Sequence, residues 1–246
     1  MERRRVVAVI PARYSSTRFP GKPLVLLHGR PMVVHVVDRV VESCCCAEVI
    51  VATDDERIAA AATAGGARAV MTGPARSGTD RVAQALRNVY ADVVLNVQGD
   101  EPALPPANLA TLADFLLQQP DVPLATLAAP ADDRDMADPN VVKVVCDLEG
   151  MALYFSRSPV PYPRTPGAAP RLRHVGLYGF QREALLDFTS WSETELEKAE
   201  GLEQLRALAH GMKIKVLPAL AASVSVDRPD DVPRAEAALS RLKGGV

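Results

Sequence analysis

Apolar and polar positions follow two alternating regimes along the first half of the chain. Short unbroken apolar runs, beginning with Val6-Val7-Ala8-Val9-Ile10, have no polar face and predict parallel strands buried on both sides. Segments 48–52, 67–71 and 92–97 repeat that pattern. Between them lie stretches with helical signals. Segment 32–41 follows Pro31, a favourable first helical residue. The alanine-rich 56–64 stops at Gly65-Gly66, and Ser77-Gly78-Thr79-Asp80 caps a helix running to about Asn88. Repeated strand–loop–helix units predict an α/β fold, with a mostly parallel twisted sheet carrying helices on both faces.

After Asp121 the alternation breaks. Segments 141–146 and 152–155 read as a hairpin around the turn Asp147-Leu148-Glu149-Gly150, followed by a proline-rich stretch over 159–170. Segment 174–180 reads as a strand, and 195–210 as one helix with Leu196, Leu202, Leu205 and Leu208 on its apolar side. Segments 213–217 and 223–226 return to a strand pattern, and Asp227-Arg228-Pro229-Asp230-Asp231 opens a last helix. The expectation is a single domain over 1–246 with an inserted β-rich lobe at roughly 141–215.

Composition narrows the function classes. A chain of 246 residues can bury roughly 70–75% of its unfolded surface, enough for a substantial core. The net charge of −2 argues against a broad nucleic-acid-binding face, so any anion site must be a local cluster of Arg and Lys. MERRR is followed by only five apolar residues before Pro11, which is neither a signal peptide nor a membrane span; cytoplasm is the default expectation. Cys44-Cys45-Cys46 lacks metal-ligand spacing and Cys146 lies in an apolar strand, so reduced, structural thiols are expected.

The first strand empties into ARYSSTRFPGKPL, where Pro20, Gly21 and Pro23 forbid regular structure and stiffen the loop. That loop carries Arg13, Arg18 and Lys22 with Ser15, Ser16 and Thr17 between them. Ligands of open α/β sheets sit outside the carboxyl ends of strands, and a stiff cationic loop there suits a nucleoside triphosphate. Neither G-x-x-x-x-G-K-[ST] nor G-x-G-x-x-G is present. Asp100 follows a buried strand through Gln98-Gly99, which suits Mg²⁺ as well as a helix cap. Asp227 stands in a similar place; it can share that cation or simply cap the helix before Pro229.

These residues carry a resemblance. IPARYSSTRFPGKPL, IVATDDERI, SGTDR, LNVQGDEP, NVVKVV, ALYFSRSPVP, RHVGLYGF, LEQLRAL and SVDRPDD, spanning 10–231, resemble the 3-deoxy-manno-octulosonate cytidylyltransferase (CMP-Kdo synthetase) family in order and wording. The resemblance implies a Rossmann-like nucleotide-diphospho-sugar transferase fold, with the inserted lobe serving homodimerisation. It implies transfer of CMP from CTP to the anomeric hydroxyl of the acidic sugar Kdo, with Mg²⁺ and release of pyrophosphate, in lipopolysaccharide or capsule synthesis. Ala12, Arg13, Arg18, Lys22, Ser77, Gly78 and Thr79 match nucleotide-binding positions, and Asp100 and Asp227 match metal ligands. Together with Lys22, these two aspartates would carry the catalysis. Gln98, Arg157, His174, Tyr178, Glu203 and Gln204 match the sugar-acid pocket.

The chain departs from the family pattern in four places. Arg76 stands where Gln is usual, SVSVD replaces GTGVD-like wording, Arg228 stands for a common Thr, and the segment between Tyr162 and His174 is shorter. These sit near the sugar and metal sites. They leave open another acidic sugar, such as a sialic acid or 8-amino-Kdo; a catalytically silent nucleotide-sugar-binding protein is the other alternative, which loss of either aspartate or of Lys22 would favour, and all three are present.

Overall fold

The computed structural model describes residues 4–16, 19–165, 167, 169–220 and 223–243. Among them the strands are β1 (Val6–Ala12), β2 (Leu26–Leu27), β3 (Arg30–Pro31), β4 (Glu48–Thr53), β5 (Arg68–Met71), β6 (Val93–Asn96) and β7 (Leu124–Pro130). They continue with β8 (Lys143–Cys146), β9 (Ala152–Ser156), β10 (Leu172–Gln181) and β11 (Ile214–Pro218). The helices are α1 (Met32–Glu42), α2 (Glu56–Ala64), α3 (Gly78–Ala85), α4 (Pro106–Gln118), α5 (Asp133–Ala137), α6 (Arg182–Ser190), α7 (Glu195–Glu200), α8 (Gln204–Ala209) and α9 (Val232–Lys243).

The main sheet runs β11-β7-β10-β6-β1-β4-β5. Its ladders are parallel except along β10, which is antiparallel to both β6 and β7. β1 is laddered on both edges and buried on both faces, which explains its unbroken apolar run. Val6, Ala8 and Ile10 face a core shared with α1, α2 and α4, while Val7 and Val9 face one shared with α3, α6 and α8. Helices therefore cover both faces, as the pattern predicts.

Several expectations need correction. Within the span 141–215, β10 is built into the main sheet between β6 and β7, and β11 begins only at its end. Within it the β8–β9 hairpin, attached to the end of β10, matches the predicted one. Segment 223–226 forms no strand; it is tied instead by the Val226 N–H to the Asp100 carbonyl at 2.9 Å. α4 and β7 have no counterpart in the sequence reading. β7 is alanine-rich, which lowers its strand signal.

The helix expected over 195–210 is two helices, α7 and α8, separated by Gly201 at φ +62°, a left-handed cap that a continuous helix cannot contain. The pair is held by a buried ion pair in which Arg206 Nε donates to Glu197 Oε2 at 2.8 Å, with Nη2 bonding the other oxygen. Arg206 also lies over the Phe188 ring of α6, at 4.8 Å from its centroid. Removing one partner strands a buried charge. Glu197→Ala should therefore cost about 3–5 kcal/mol, read as a lower urea midpoint with unchanged slope.

Candidate active site

The loop after β1 is closed on itself. Gly21, at φ +72°, donates its N–H to the Tyr14 carbonyl at 2.9 Å, and a Cβ at this position would press on the Tyr14 ring. Arg57 covers that ring at 3.8 Å. This closure presents Lys22 at the start of a short 3₁₀ turn, while Arg18 and Thr17 lie outside the described residues.

Lys22 is the meeting point of two carboxylates distant in sequence. Its Nζ lies 2.6 Å from Asp100 Oδ2 and 3.6 Å from Asp227 Oδ1. Asp100 gets there because the chain turns directly after β6: Gly99 passes so close to β1 that a Cβ would stand 2.8 Å from the Pro11 carbonyl oxygen. Asp227 gets there through the Val226–Asp100 backbone bond. The Asp227 N–H donates to Asp231 Oδ2 at 2.9 Å, which ties the residue to the entry of the last helix. Glu101, beside the pair, is pushed up to about 7 by burial, with the Asp100 charge adding to the effect.

A cavity of about 260 Å³ opens over this cluster, lined among others by Ala12, Arg13, Ser77, Gly78 and Gln98. The nucleotide-binding residues predicted from the sequence therefore converge here with the two aspartates, apart from Arg18 and Thr79. Thr79 is only 1% exposed and turns its hydroxyl inward, to Glu203. As to a metal, no group of three His, Cys, Asp or Glu side chains able to hold an ion exists among the described residues. Two carboxylates converging on one positive charge nonetheless suit Mg²⁺, which keeps much of its shell for phosphate oxygens and water. The donor set fits that ion.

A second cavity, of about 370 Å³, adjoins the first through Arg76 and Ser77 and is lined by Glu203, Gly201 and Arg206. Burial raises the Glu203 carboxyl, offset in part by hydrogen bonds from the Thr79 and Ser77 hydroxyls. The Glu203 charge helps to raise the buried Tyr178 phenol, which is pushed up chiefly by its own burial. Gln204 is buried with its Nε2 unpartnered. His174 stands 5.4 Å from the Tyr178 ring and 5.0 Å from Phe155.

The protonation of His174 can be worked out. Thr126 Oγ1 lies 2.8 Å from the Leu177 carbonyl, which can only accept, so the hydroxyl proton is committed there. The 2.8 Å contact between Thr126 Oγ1 and His174 Nε2 must then be donated by the ring. Burial lowers the imidazole to about 3, so it is neutral, with Nδ1 left as an acceptor suited to a hydroxyl.

Arg157 is held differently from expectation. Its Nε bonds the Glu200 carbonyl at 2.6 Å, Nη1 the Pro139 carbonyl at 3.0 Å and Nη2 the Gly201 carbonyl at 3.4 Å. The guanidinium caps the end of α7, beside the second cavity, and three of its five donors are engaged with backbone. Lys143, between valines in β8, is fully buried and bonds the carbonyls of Asp138, Val141 and Arg157 at 2.6–2.9 Å. Arg76, the departure from the family's Gln, pairs with Asp80 and bonds the Thr189 and Trp191 carbonyls at the end of α6. Sequence reasoning missed Asn96, Thr126 and Lys143. Asn96 and Lys143 signalled themselves only as polar residues inside apolar strands.

A carboxylate pair and a cationic loop at the carboxyl edge of a mostly parallel sheet define a nucleotidyltransferase site. Residues 7–214 match the family model described as cytidylyltransferase. The chain is 51% identical to the 3-deoxy-manno-octulosonate cytidylyltransferase of Myxococcus xanthus, over 100% of both chains. It is 42% identical to the enzyme of that name from Escherichia coli, over 96% of this chain and 97% of the other. A solved CMP:2-keto-3-deoxy-manno-octonic acid synthetase complexed with CTP superposes with a TM-score of 0.92 at 42% identity, covering 97% of this chain and 99% of that one. A 4-diphosphocytidyl-2C-methyl-D-erythritol synthase from Anaerococcus prevotii shares the fold, with a TM-score of 0.67 at 14% identity over 98% of this chain and 100% of that one. The chain belongs to the 3-deoxy-manno-octulosonate cytidylyltransferase family.

The unfolded chain takes up a proton on the His174 ring near its ordinary value of 6.5, whereas the folded chain resists until about 3. The His174 contribution to stability is thus complete above about 6.5 and is lost progressively as pH falls toward 3. His174→Gln should flatten that acid limb in urea midpoints taken across the window, and NMR should show a neutral His174 ring at pH 5.

Proposed function

We propose that this protein transfers CMP from CTP to the anomeric hydroxyl of 3-deoxy-D-manno-octulosonate, giving CMP-Kdo and pyrophosphate. The convergence of Asp100, Asp227 and Lys22 beneath a cavity walled by the loop after β1 carries this reading. The full-length likeness to enzymes named for the same transfer supports it. In the reaction the anomeric oxygen forms a bond to the α-phosphorus, the bond from that phosphorus to the bridging oxygen breaks, and the hydroxyl proton leaves to solvent. No side chain in the site stands out as an obligate base.

The protein's part is positioning and charge stabilisation. Arg13 and Lys22 offset the charge on the departing pyrophosphate, while Ala12, Ser77 and Gly78 shape the nucleotide cavity. Asp100 and Asp227 are the residues that would hold Mg²⁺. When bound, that ion would reduce the negative charge on the α-phosphate and acidify the attacking hydroxyl. On the sugar side, neutral His174, Tyr178, Glu203 and Gln204 offer acceptors and donors to hydroxyl groups. Arg157 has two N–H donors beyond its backbone bonds for the carboxylate.

The protein is further proposed to work as a homodimer in the cytoplasm. Leu148 and Tyr162 are almost fully exposed, and an apolar cavity of about 570 Å³, lined by Leu148, Val145, Pro161, Pro170 and Leu217, lies beside the β8–β9 hairpin. That much open apolar surface is what an association face provides. No helix among the described residues is long and apolar enough to cross a membrane. Sedimentation of Leu148→Asp should show monomer where the parent shows dimer; a monomeric parent would remove the dimer from this account.

Incubation with CTP, Kdo and Mg²⁺ should yield CMP-Kdo and pyrophosphate, and parallel assays with a sialic acid or 8-amino-Kdo should be slower. Binding without turnover for every sugar would favour a silent nucleotide-sugar-binding protein. Asp100→Asn and Asp227→Asn should each keep the fold and lower turnover on the order of 10³-fold. Near-normal rates in both variants, with EDTA harmless to the parent, would overturn the metal assignment.

A further inference from the structure

A buried chain of hydrogen bonds links the nucleotide edge of the site to the sugar side. Asn96, at the end of β6 and fully buried, donates from Nδ2 to Thr79 Oγ1 at 2.9 Å. Thr79, in the first turn of α3, donates its only hydroxyl proton to Glu203 Oε1 at 2.6 Å. These directions are mutually dependent. An ionised Glu203 can only accept, so it claims the Thr79 proton. The Thr79 oxygen then has only lone pairs left, so Asn96 must present its amide N–H₂ and not its carbonyl. The Asn96 Oδ1 is left buried without a partner, a cost accepted in keeping this orientation.

The same turn touches both substrates' sides. Ser77 and Gly78 line the nucleotide cavity, Ser77 also lines the second cavity, and Thr79 follows directly. Glu203 itself is the N-cap residue of the six-residue α8, after the break at Gly201, and makes no capping bond with its side chain. Nothing in its own helix therefore fixes its carboxylate; the hydroxyls of the α3 entry do, Thr79 at 2.6 Å with Ser77 as a second donor.

We propose that Thr79 and Asn96 are positioning residues for the sugar acid, which hold Glu203 as an oriented acceptor facing the second cavity. Thr79 thereby serves sugar selection and not nucleotide binding. This rests on the reading that the second cavity takes the sugar acid. Without the Thr79 hydroxyl, Glu203 keeps only the Ser77 donor, which lies at the mouth of the cavity, and so loses the inner bond that sets its direction; the Asn96 amide is left buried and unpaired.

The test compares Thr79→Val, which keeps the shape and removes the hydroxyl, with Thr79→Ser, which keeps the hydroxyl, in steady-state assays varying CTP and Kdo separately. Thr79→Val should raise KM for Kdo about tenfold, the effect of one lost bond to a charged group, with KM for CTP changed less than about twofold. Thr79→Ser should restore the Kdo value to within about twofold of the parent. Glu203→Gln in the Thr79→Val background should add little to the loss, because the two act as one unit. Equal effects on both substrates, no effect on Kdo, or failure of Thr79→Ser to rescue would overturn the proposal. Should Thr79→Val fold poorly, Asn96→Leu gives the same comparison from the other end of the chain of bonds. A parent protein that turns over no acidic sugar would instead overturn the functional reading, and that failure is visible before any variant is made.

Discussion

A strand with neighbours on both edges and helices on both faces has only its ends in which to place polar chemistry, and β1 is such a strand. Its backbone is consumed by the ladders to β4 and β6, and its side chains by two hydrophobic cores. All the charge associated with it is therefore displaced into the loop that follows. The close pass of Gly99 against Pro11 is the other half of the same constraint, since it sets how near the turn after β6 comes to that loop. The positions of Asp100, of the Val226 tether and of Asp227 follow from that approach.

The electrostatics of the site depend on where its charges stand. One ammonium lies between two carboxylates at the floor, while Arg13, Arg76 and Arg81 are set around the cavity wall. Negative charge is thus concentrated at one point beneath a wall that carries positive charge, an arrangement that favours the approach of an anion with several oxygens. Elsewhere, buried charges are closed off. Lys143 spends its three donors on carbonyls, and Glu197 takes up the Nε and Nη2 donors of Arg206 with both its oxygens. Those groups shape the ground around the site without competing for ligand.

Much of this was legible because the physics is local. The buried strands read directly from unbroken β-branched runs, and Asp100 and Asp227 read as carboxylates at the carboxyl ends of apolar segments. What was not legible depended on contacts between remote segments. The leucine spacing over 195–210 suits one helix, yet Gly201 breaks it, and Leu196 ends up 48% exposed. Segment 223–226 has the composition of a strand but bonds to a turn. Thr79 reads from its neighbours as a nucleotide contact, and only the fold shows its hydroxyl meeting Glu203, 124 residues away. The polar Asn96 at the end of β6 gave a signal, but its meaning needed a partner 17 residues away.

The antiparallel insertion of β10 has a kinetic consequence. Without it, the other strands of the main path fall into two separate groups, β6-β1-β4-β5 and β11-β7, with no ladder between them. The first group comes from the first hundred residues, whereas the strand that joins it to the second is not complete until Gln181. Joining must await contacts between segments far apart in sequence, which makes it a slow, late event by topological criteria. β10 also carries His174 and Tyr178, so the joining of the two groups and the placing of these two side chains are one and the same step. A chain that had not taken that step would have the loop after β1 beside its partner strands and neither ring in position.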